Sequence, residues 1–278
     1  MVDSSNSKTI LCINAADTAG GTGITTDARV AQAEKLDSIH VYTGISVQYQ
    51  DELMDIIEIP TDVLHLQLQS IMKYKRYDAI KIGVVPNARA AEEIGNFIQQ
   101  VKVPVVLDIS LYNRSGVQWS SQDVILSVIE HIIPYITIFT PNKQEAEQFS
   151  GMPIDTIEDA QVAVQRLAQL NYDMYVLLKG RLFSHTYRAD EYGDKWCSDI
   201  LYYKNDFYLF EAPTISNTMH LGSGDAYSTL IACQLAKNQN MIDAVRTAKE
   251  KISYAIKASV HHRITINSEG KTDCISSN

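Results

Sequence analysis

The chain has 278 residues, 45% of them hydrophobic and 21% charged, so it can bury a full core and is neither disordered nor fibrous. Its 33 acidic and 24 basic residues give a formal net charge of -9 at pH 7. Because binding to nucleic acid or to an anionic membrane needs clustered Lys and Arg, this balance argues against both partners. A polyanionic substrate would need a focused site.

The cysteines and the apolar segments indicate the compartment. None of the four cysteines forms a Cys-x-x-Cys pair or has a histidine at zinc-ligand spacing, so neither a zinc site nor a disulfide framework is expected. No apolar run approaches the ~20 residues of a membrane span, and the segment 1–8 is polar. We therefore expect a soluble cytoplasmic protein with reduced thiols.

Short β-branched runs alternate with longer segments of helical periodicity, which is typical of a mostly parallel sheet covered by helices. The predicted strands, in chain order, are 9–14, 39–47, 79–82, 103–108, 136–139 and 174–178. Apolar residues between 157 and 167 recur at helical spacing, and Thr156 with Asp159 predicts a capping box at the start of that helix.

The pattern changes late in the chain. Residues 198–203 and 207–210 predict two strands joined by a short turn, and two final helices are predicted at 224–237 and 242–259. There is no internal repeat and no linker-like segment, so we expect one domain over residues 1–278, with loose tails at 1–8 and 267–278.

A glycine-rich segment at 14–24 follows the first predicted strand. Gly20, Gly21 and Gly23 permit close approach of the backbone to a ligand. The segment is not a phosphate loop with Gly-Lys-Ser/Thr, and it is not the dinucleotide fingerprint, because Thr26 stands where the third glycine belongs. It could equally be a tight turn between a strand and a helix.

A second segment, Gly222-Ser223-Gly224-Asp225, precedes a predicted helix. Backbone amides at a helix N-terminus can hold the charge that develops on a transferred phosphoryl group. Asp225 beside them could take a proton from a substrate hydroxyl. The alternative is that Asp225 only stabilises the first helical turn.

Polar residues also follow three other predicted strands. Asp108 and Glu145 would meet at the carboxyl edge of the sheet, where two carboxylates could hold Mg²⁺. Asn142 and Glu145 also fit an ordinary capping box. Lys179 could neutralise phosphate oxygens, although a lysine at a strand end is usually just solvated.

Together these segments resemble the phosphomethylpyrimidine kinases of the ribokinase-like superfamily, over roughly residues 9–260. In chain order, the motifs that carry the resemblance are ADTAGGTGITTD at 16–27, Ser46-Val47-Gln48, Lys81-Ile82-Gly83, Val105-Val106-Leu107-Asp108, Thr140-Pro141-Asn142-Lys143-Gln144-Glu145, Leu178-Lys179-Gly180 and Gly222-Ser223-Gly224-Asp225. The resemblance implies a three-layer α/β fold with helices on both faces of the sheet, a small β-hairpin flap beside the nucleotide, and a homodimer.

The activity implied is ATP-dependent phosphorylation of the hydroxymethyl group of 4-amino-5-hydroxymethyl-2-methylpyrimidine, or of its monophosphate, in thiamin biosynthesis. The implied substrate contacts are Gln48, Asp17, Gly20, Gly21 and Val84. The implied ATP contacts are Lys179, Asn142, Gly222 and Gly224, with Mg²⁺ at Asp108 and Glu145, an anion hole at Gly222, Ser223 and Gly224, and Asp225 as the base.

Several positions depart from the family pattern. Asp225 stands where the pyrimidine kinases carry cysteine, Tyr49 replaces an Asn, and Arg181 replaces a glycine, while the insert 183–194 is interpreted as a flap. An aspartate base is also typical of pyridoxal kinases, so pyridoxal or pyridoxine phosphorylation is the alternative function. A non-catalytic sensor of a pyrimidine or of vitamin B6 is a further alternative. A nicotinamide-dependent oxidoreductase is disfavoured by the missing fingerprint.

Overall fold

The computed structural model describes residues 7–49, 52–74, 76–113, 116–180, 196–213 and 221–258. The strands are β1 (Thr9–Asp17), β2 (Asp37–Tyr49), β3 (Glu52–Glu58), β4 (Ala79–Ile82), β5 (Val105–Leu107), β6 (Ile138–Phe139), β7 (Tyr175–Leu178), β8 (Trp196–Tyr203) and β9 (Asp206–Pro213). The helices are α1 (Gly23–Ala33), α2 (Thr61–Tyr74), α3 (Ala88–Ile98), α4 (Gln122–His131), α5 (Lys143–Ser150), α6 (Ile157–Ala168), α7 (Ser223–Ala236) and α8 (Met241–Ala258). Within these helices, no segment is long and apolar enough to cross a membrane.

The strands form one sheet in the order β3-β2-β1-β4-β5-β6-β7-β8-β9. The strands from β2 to β7 in this order pair in parallel, while β3 at one edge and the β8–β9 pair at the other are antiparallel additions. Because the central strands are parallel, their carboxyl ends and the loops that follow them meet at the same edge of the sheet.

Side chains of successive strand residues point to opposite faces, so each strand serves two cores. On β4, Ile80 and Ile82 join a core with α2 to α6, whereas Ala79 joins a core with α1, α7 and α8. Lys81 alternates onto the same face as Ala79 and is completely buried there. The predicted architecture of a mostly parallel sheet with helices on both faces is confirmed.

The structure confirms the predicted strands, with small differences at their ends, and the predicted hairpin. Its two strands, β8 and β9, extend the main sheet by antiparallel pairing with β7. The antiparallel edge strand β3 was not predicted. Residues 1–6 of the predicted loose tail 1–8 lie outside the described residues, whereas the Lys8 ammonium binds the Asp78 carboxylate at 2.6 Å. The insert 183–194 and the tail 267–278 lie outside the described residues.

Candidate active site

A cavity of about 360 Å³ lies at the carboxyl edge of the parallel strands. It is large enough for a small ligand. The predicted site residues that line it are Gln48, Val84, Asp108, Asn142, Glu145, Lys179, Gly222, Ser223, Gly224 and Asp225. Sequence segments separated by up to about two hundred residues therefore meet in one place.

The N-terminus of α7 forms one wall of the cavity. Gly222 caps the helix with φ of 80°, a left-handed conformation that favours glycine. A Cβ at this position would lie 2.1 Å from the carbonyl oxygen of Gly21, so the chain has no room for a side chain here. The first amides of α7 have no partner within the helix and point toward its N-terminal end, where an anion can bind.

The Asp225 side chain, 21% exposed, is held from three directions. One carboxylate oxygen accepts hydrogen bonds from the side-chain amide of Asn14 at 3.1 Å and from the Lys81 ammonium at 2.6 Å. The other oxygen accepts a hydrogen bond from the backbone amide of Gly23 at 3.1 Å. These contacts join the start of α7 to β1, β4 and the start of α1, and they fix the direction of the carboxylate.

Behind Asp225 lies a second carboxylate, that of Asp27. It binds Lys81 at 3.0 Å, and it accepts hydrogen bonds from Asn14 at 2.9 Å and from Thr229 at 2.7 Å. Burial raises the pKa of Asp27 to about 6, and the positive charge of Lys81 opposes that rise. Burial also acts to raise the pKa of Asp225, but Lys81 and the hydrogen bonds outweigh it, so that pKa is lowered.

Asp108, which is buried, and Lys179, which is partly exposed, form a second ion pair in the cavity wall. The Lys179 ammonium binds one oxygen of Asp108, which also accepts from the Thr140 hydroxyl at 3.0 Å. The other oxygen accepts from the Ser228 hydroxyl at 2.7 Å. Burial acts to lower the pKa of Lys179, but Asp108 and Glu145 raise it, so Lys179 stays charged.

Asn142 and Glu145 form the capping box that the sequence offered as an alternative. The Asn142 side chain accepts from the Glu145 amide at 2.9 Å, and the Glu145 carboxylate accepts from the Asn142 amide at 2.8 Å. Both residues also line the cavity. Burial, with a contribution from Asp108, raises the pKa of Glu145 to about 7, against the effect of Lys179.

One part of the cavity wall, here called the neutral end, carries no charged side chain. Gln48, Leu53, Ile56, Gly83 and Val84 line it. The Oε1 atom of Gln48 is buried and has no hydrogen-bond partner among the described residues. A buried acceptor without a partner is costly, so a ligand that donates a hydrogen bond fits this position.

Asp17, Gly20 and Gly21 do not line the cavity; they shape the loop behind it. The Asp17 carboxylate accepts from the amides of Ala19, Gly21 and Thr22 at 2.7 to 2.8 Å. This pattern orders the turn that leads into α1. Substrate contacts by Asp17, Gly20 and Gly21 therefore stay a prediction.

The sequence reasoning assigned no role to several polar residues that the structure brings into the site: Asn14, Asp27, Lys81, Thr140, Ser228 and Thr229. One signal was available for Lys81, which is a charged residue inside an otherwise apolar strand. Asp27 and Thr140 belong to motifs that carry the resemblance, but no local pattern identifies the partners of these residues, because the partners lie far away in the sequence.

The acidic residues of the site do not form a complete metal cage. Among the described residues, no group of three or more His, Cys, Asp or Glu side chains could hold a metal ion. Asp108 and Glu145, two carboxylates that disfavour each other's charge, nevertheless fit a cation that takes its other ligands from phosphate and water.

The chain is similar to known kinases. The model of the phosphomethylpyrimidine kinase family matches residues 17–270. A hydroxymethylpyrimidine/phosphomethylpyrimidine kinase of Aquifex aeolicus (strain VF5) is 30% identical over 250 residues, covering 90% of this chain and 94% of the relative. A pyridoxine kinase of Bacillus subtilis (strain 168) is 26% identical over 253 residues, covering 90% of each chain.

Solved structures show the same architecture. The phosphomethylpyrimidine kinase from Clostridium difficile 630 has a TM-score of 0.76 at 25% identity, covering 90% of this chain and all of that one. The pyridoxal kinase from Staphylococcus aureus in complex with AMP-PCP has a TM-score of 0.81 at 22% identity, covering 95% of this chain and 94% of that one. The fold is therefore the ribokinase-like fold of these kinases. Since the family model covers residues 17–270 and a relative of 30% identity spans nearly the same length, this chain belongs to the phosphomethylpyrimidine kinase family.

Proposed function

We propose that the protein transfers the γ-phosphoryl group of ATP to the hydroxymethyl group of 4-amino-5-hydroxymethyl-2-methylpyrimidine, or to its monophosphate, in thiamin biosynthesis. One observation carries the proposal: a single cavity contains the Asp225 carboxylate, the N-terminus of α7 and the Lys179 ammonium. Phosphoryl transfer depends mainly on positioning and on stabilising the charge of the transferred group, and these groups supply both.

The proposed reaction uses Asp225 as the base. The alcohol oxygen of the acceptor forms a bond to the γ-phosphorus while the bond from that phosphorus to the bridging oxygen of ADP breaks. The alcohol proton passes to Asp225, whose carboxylate is ionised and held in place by Lys81, Asn14 and Gly23. The amides of Ser223 and Gly224 stabilise the charge on the transferred group.

The acceptor ring would occupy the neutral end of the cavity, between Gln48 and Val84. The exocyclic amino group of the pyrimidine donates hydrogen bonds, and the buried Gln48 Oε1 is an acceptor without a partner. Leu53 and Ile56 supply apolar surface for the ring and its methyl group.

The nucleotide phosphates would lie at the charged end. Lys179 and Asn142 line this part of the cavity, and Lys179 lies near the start of α7, within 3.8 Å of the position that a Gly224 Cβ would take. Asp108 and Glu145 would hold Mg²⁺ directly or through water. When bound, Mg²⁺ supplies charge neutralisation on the phosphate oxygens.

The direct test is an ADP-release assay with four acceptors at matched concentration: hydroxymethylpyrimidine, its monophosphate, pyridoxal and pyridoxine. We expect the highest kcat/KM with one of the two pyrimidines. ADP release that depends only on pyridoxal or pyridoxine would contradict the pyrimidine assignment. Equilibrium binding of a pyrimidine without any ADP release over many hours would favour the non-catalytic sensor.

Pyridoxal or pyridoxine phosphorylation is the second candidate, and Asp225 is the observation that favours it. An aspartate base in place of cysteine matches the wider superfamily, and the Bacillus subtilis relative is named a pyridoxine kinase. The neutral end of the cavity would also accept a pyridine ring. The same four-acceptor assay distinguishes the two.

We further propose that the chain acts as one kinase domain, forms a homodimer and works in the cytoplasm. The exposed apolar residues Ile45, Met54 and Ile57 on β2 and β3 support a second copy at this edge. The buried thiols of Cys12 and Cys233 are not in disulfides, which supports a reducing compartment. Sedimentation equilibrium tests the dimer, and a monomer at micromolar concentration would contradict it.

A further inference from the structure

Lys81 is a completely buried lysine, and it lies between two carboxylates. Its ammonium is 2.6 Å from an oxygen of Asp225 and 3.0 Å from an oxygen of Asp27. The Asn14 amide donates to the same two carboxylates, at 3.1 Å and 2.9 Å. A lysine is almost never fully buried unless it is paired, so this side chain belongs to one cluster with Asp27 and Asp225.

The charges of this cluster do not cancel. Two carboxylates and one ammonium leave one negative charge in a buried place, and a proton that arrives on Asp225 makes the cluster neutral. The surplus charge is therefore suited to a group that takes up a proton during the reaction.

The titratable groups around Asp225 come from every element that packs against it. They are Lys81 on β4, Asp27 on α1, Cys12 on β1, Asp108 beyond β5 and Lys179 beyond β7. Burial raises the pKa of the Cys12 thiol, which is neutral at physiological pH. Asp108 and Lys179 bind each other. Lys81 is therefore the cation that directly compensates the charge of Asp225.

We propose that Lys81 is a positioning residue that keeps Asp225 ionised and oriented for proton transfer, and that Asp27 is the counter-charge that makes Lys81 necessary. This inference rests on the proposed function, because it assigns Asp225 as the base. Without Lys81, two neighbouring buried carboxylates would remain, bridged by Asn14. Such a pair holds one proton between them, and the base would be lost at neutral pH.

The direction of the pKa values supports this arrangement. Burial raises the pKa of Asp27 to about 6, while the pKa of Asp225 is lowered, against the effect of burial, chiefly by Lys81. The charge of Asp225 acts to raise the pKa of Asp27. The difference in pKa between Asp27 and Asp225 therefore depends on Lys81, which binds both.

The first test is Lys81→Met, which keeps a side chain of similar length and removes the charge. At neutral pH we expect kcat to fall at least about tenfold, with the KM for ATP unchanged within about twofold. As the pH rises toward about 9, both carboxylates ionise and activity recovers. A loss of equal size from about pH 6 to about pH 9 would overturn the proposal.

The second test is the double variant Lys81→Met with Asp27→Asn. It removes both charges behind Asp225, so Asp225 is no longer part of a carboxylate pair. We expect kcat at neutral pH to recover several-fold relative to Lys81→Met. Replacing a buried ion pair by neutral groups is often tolerated, so this variant also guards against a simple failure to fold. A double variant that is no more active than the single variant would contradict the role of Asp27.

Lys249→Met is the matched control, because Lys249 is also a nearly buried lysine, but it is paired with Asp199 at 2.8 Å rather than with Asp225 or Asp27. We expect a lower melting temperature and no change in the pH profile.

A readout without catalysis separates this inference from the proposed function. In protein labelled with ¹³C at the Asp carboxyls, with Asp225→Asn for assignment, the Asp225 pKa should rise by at least about two units in Lys81→Met. An unchanged Asp225 pKa overturns the positioning role. If the wild-type protein phosphorylates no acceptor but the Asp225 pKa still rises in Lys81→Met, only the proposed function is overturned.

Discussion

Glu145 combines two tasks in one carboxylate. It closes the capping box of α5, and it is one of two acids in the cavity. The capping task needs only a hydrogen-bond acceptor, which a glutamine also supplies, whereas the proposed metal task needs the negative charge. The variant Glu145→Gln therefore separates the two.

The first prediction concerns stability. Since burial raises the pKa of Glu145 from 4.5 to about 7, the folded protein binds more protons than the unfolded chain between these values. The contribution of this group to stability is complete below the lower value and is lost as pH rises to the upper one. As the pH rises from about 5 to about 8, the free energy of unfolding of Glu145→Gln should therefore increase by about 2 kcal/mol relative to that of wild type. Urea unfolding at both pH values measures this change. If the stability difference between variant and wild type is the same at both, the raised pKa of Glu145 is contradicted.

The second prediction concerns Mg²⁺. Protonation of Glu145 weakens its attraction for a cation, so the Mg²⁺ concentration needed for half-maximal activity should rise as pH falls below about 7. Glu145→Gln should show the high requirement at every pH. An identical Mg²⁺ requirement in wild type and variant would remove Glu145 from the metal site.

At the residue scale, the sequence predicted cavity side chains that follow a strand or start a helix, such as Asp108, Lys179 and Asp225. The cluster around Lys81 was not predicted. Its contacts join residues 54 and 144 positions apart, and no local pattern reports which charged side chain will be buried beside which other one.

At the scale of the element, the start of α7 depends on a glycine. We predict that Gly222→Ala raises the KM for ATP about tenfold and lowers the melting temperature, because a Cβ would lie 2.1 Å from the Gly21 carbonyl and push the helix start away. Gly151→Ala is the control, with φ of 66° and nothing within 4 Å of the added atom. It should lower the melting temperature without changing the KM. Equal KM effects from the two variants would contradict the role of the α7 start.

Strand prediction succeeded where burial on both faces leaves an apolar run, as at β7 and, apart from Lys81, at β4. It failed at β3, where Glu52–Glu58 lies at the sheet edge and mixes acidic with exposed apolar residues. Its pairing with β2 is a tertiary contact, so the segment alone carries a weak strand signal.

At the scale of the whole molecule, the net charge of -9 argues against binding of extended polyanions such as nucleic acids. It does not argue against one nucleotide bound in a focused site. Acidic residues also act inside the fold, since Asp27 and Asp225 bind the buried Lys81 and Asp108 binds Lys179. The surplus of acids is thus partly a property of the site.

Binding to the folded state should stabilise the whole chain. At about a hundred times its dissociation constant, a ligand adds about 2.7 kcal/mol, which raises the melting temperature of a chain of this length by several degrees. We predict such a shift with ATP and Mg²⁺ together and none with NAD. A comparable shift with NAD would contradict a nucleotide site built for phosphoryl transfer.

The central claim is that Asp225 takes the proton of an alcohol while the protein transfers phosphoryl from ATP. Its most direct measurement follows the γ-phosphoryl group of labelled ATP onto hydroxymethylpyrimidine, with wild type and Asp225→Asn side by side. We predict labelled phosphate on the hydroxymethyl group with wild type and a rate about 10² to 10⁴ lower with Asp225→Asn. The variant should keep the same melting shift with ATP and Mg²⁺. Full transfer by Asp225→Asn would contradict the account.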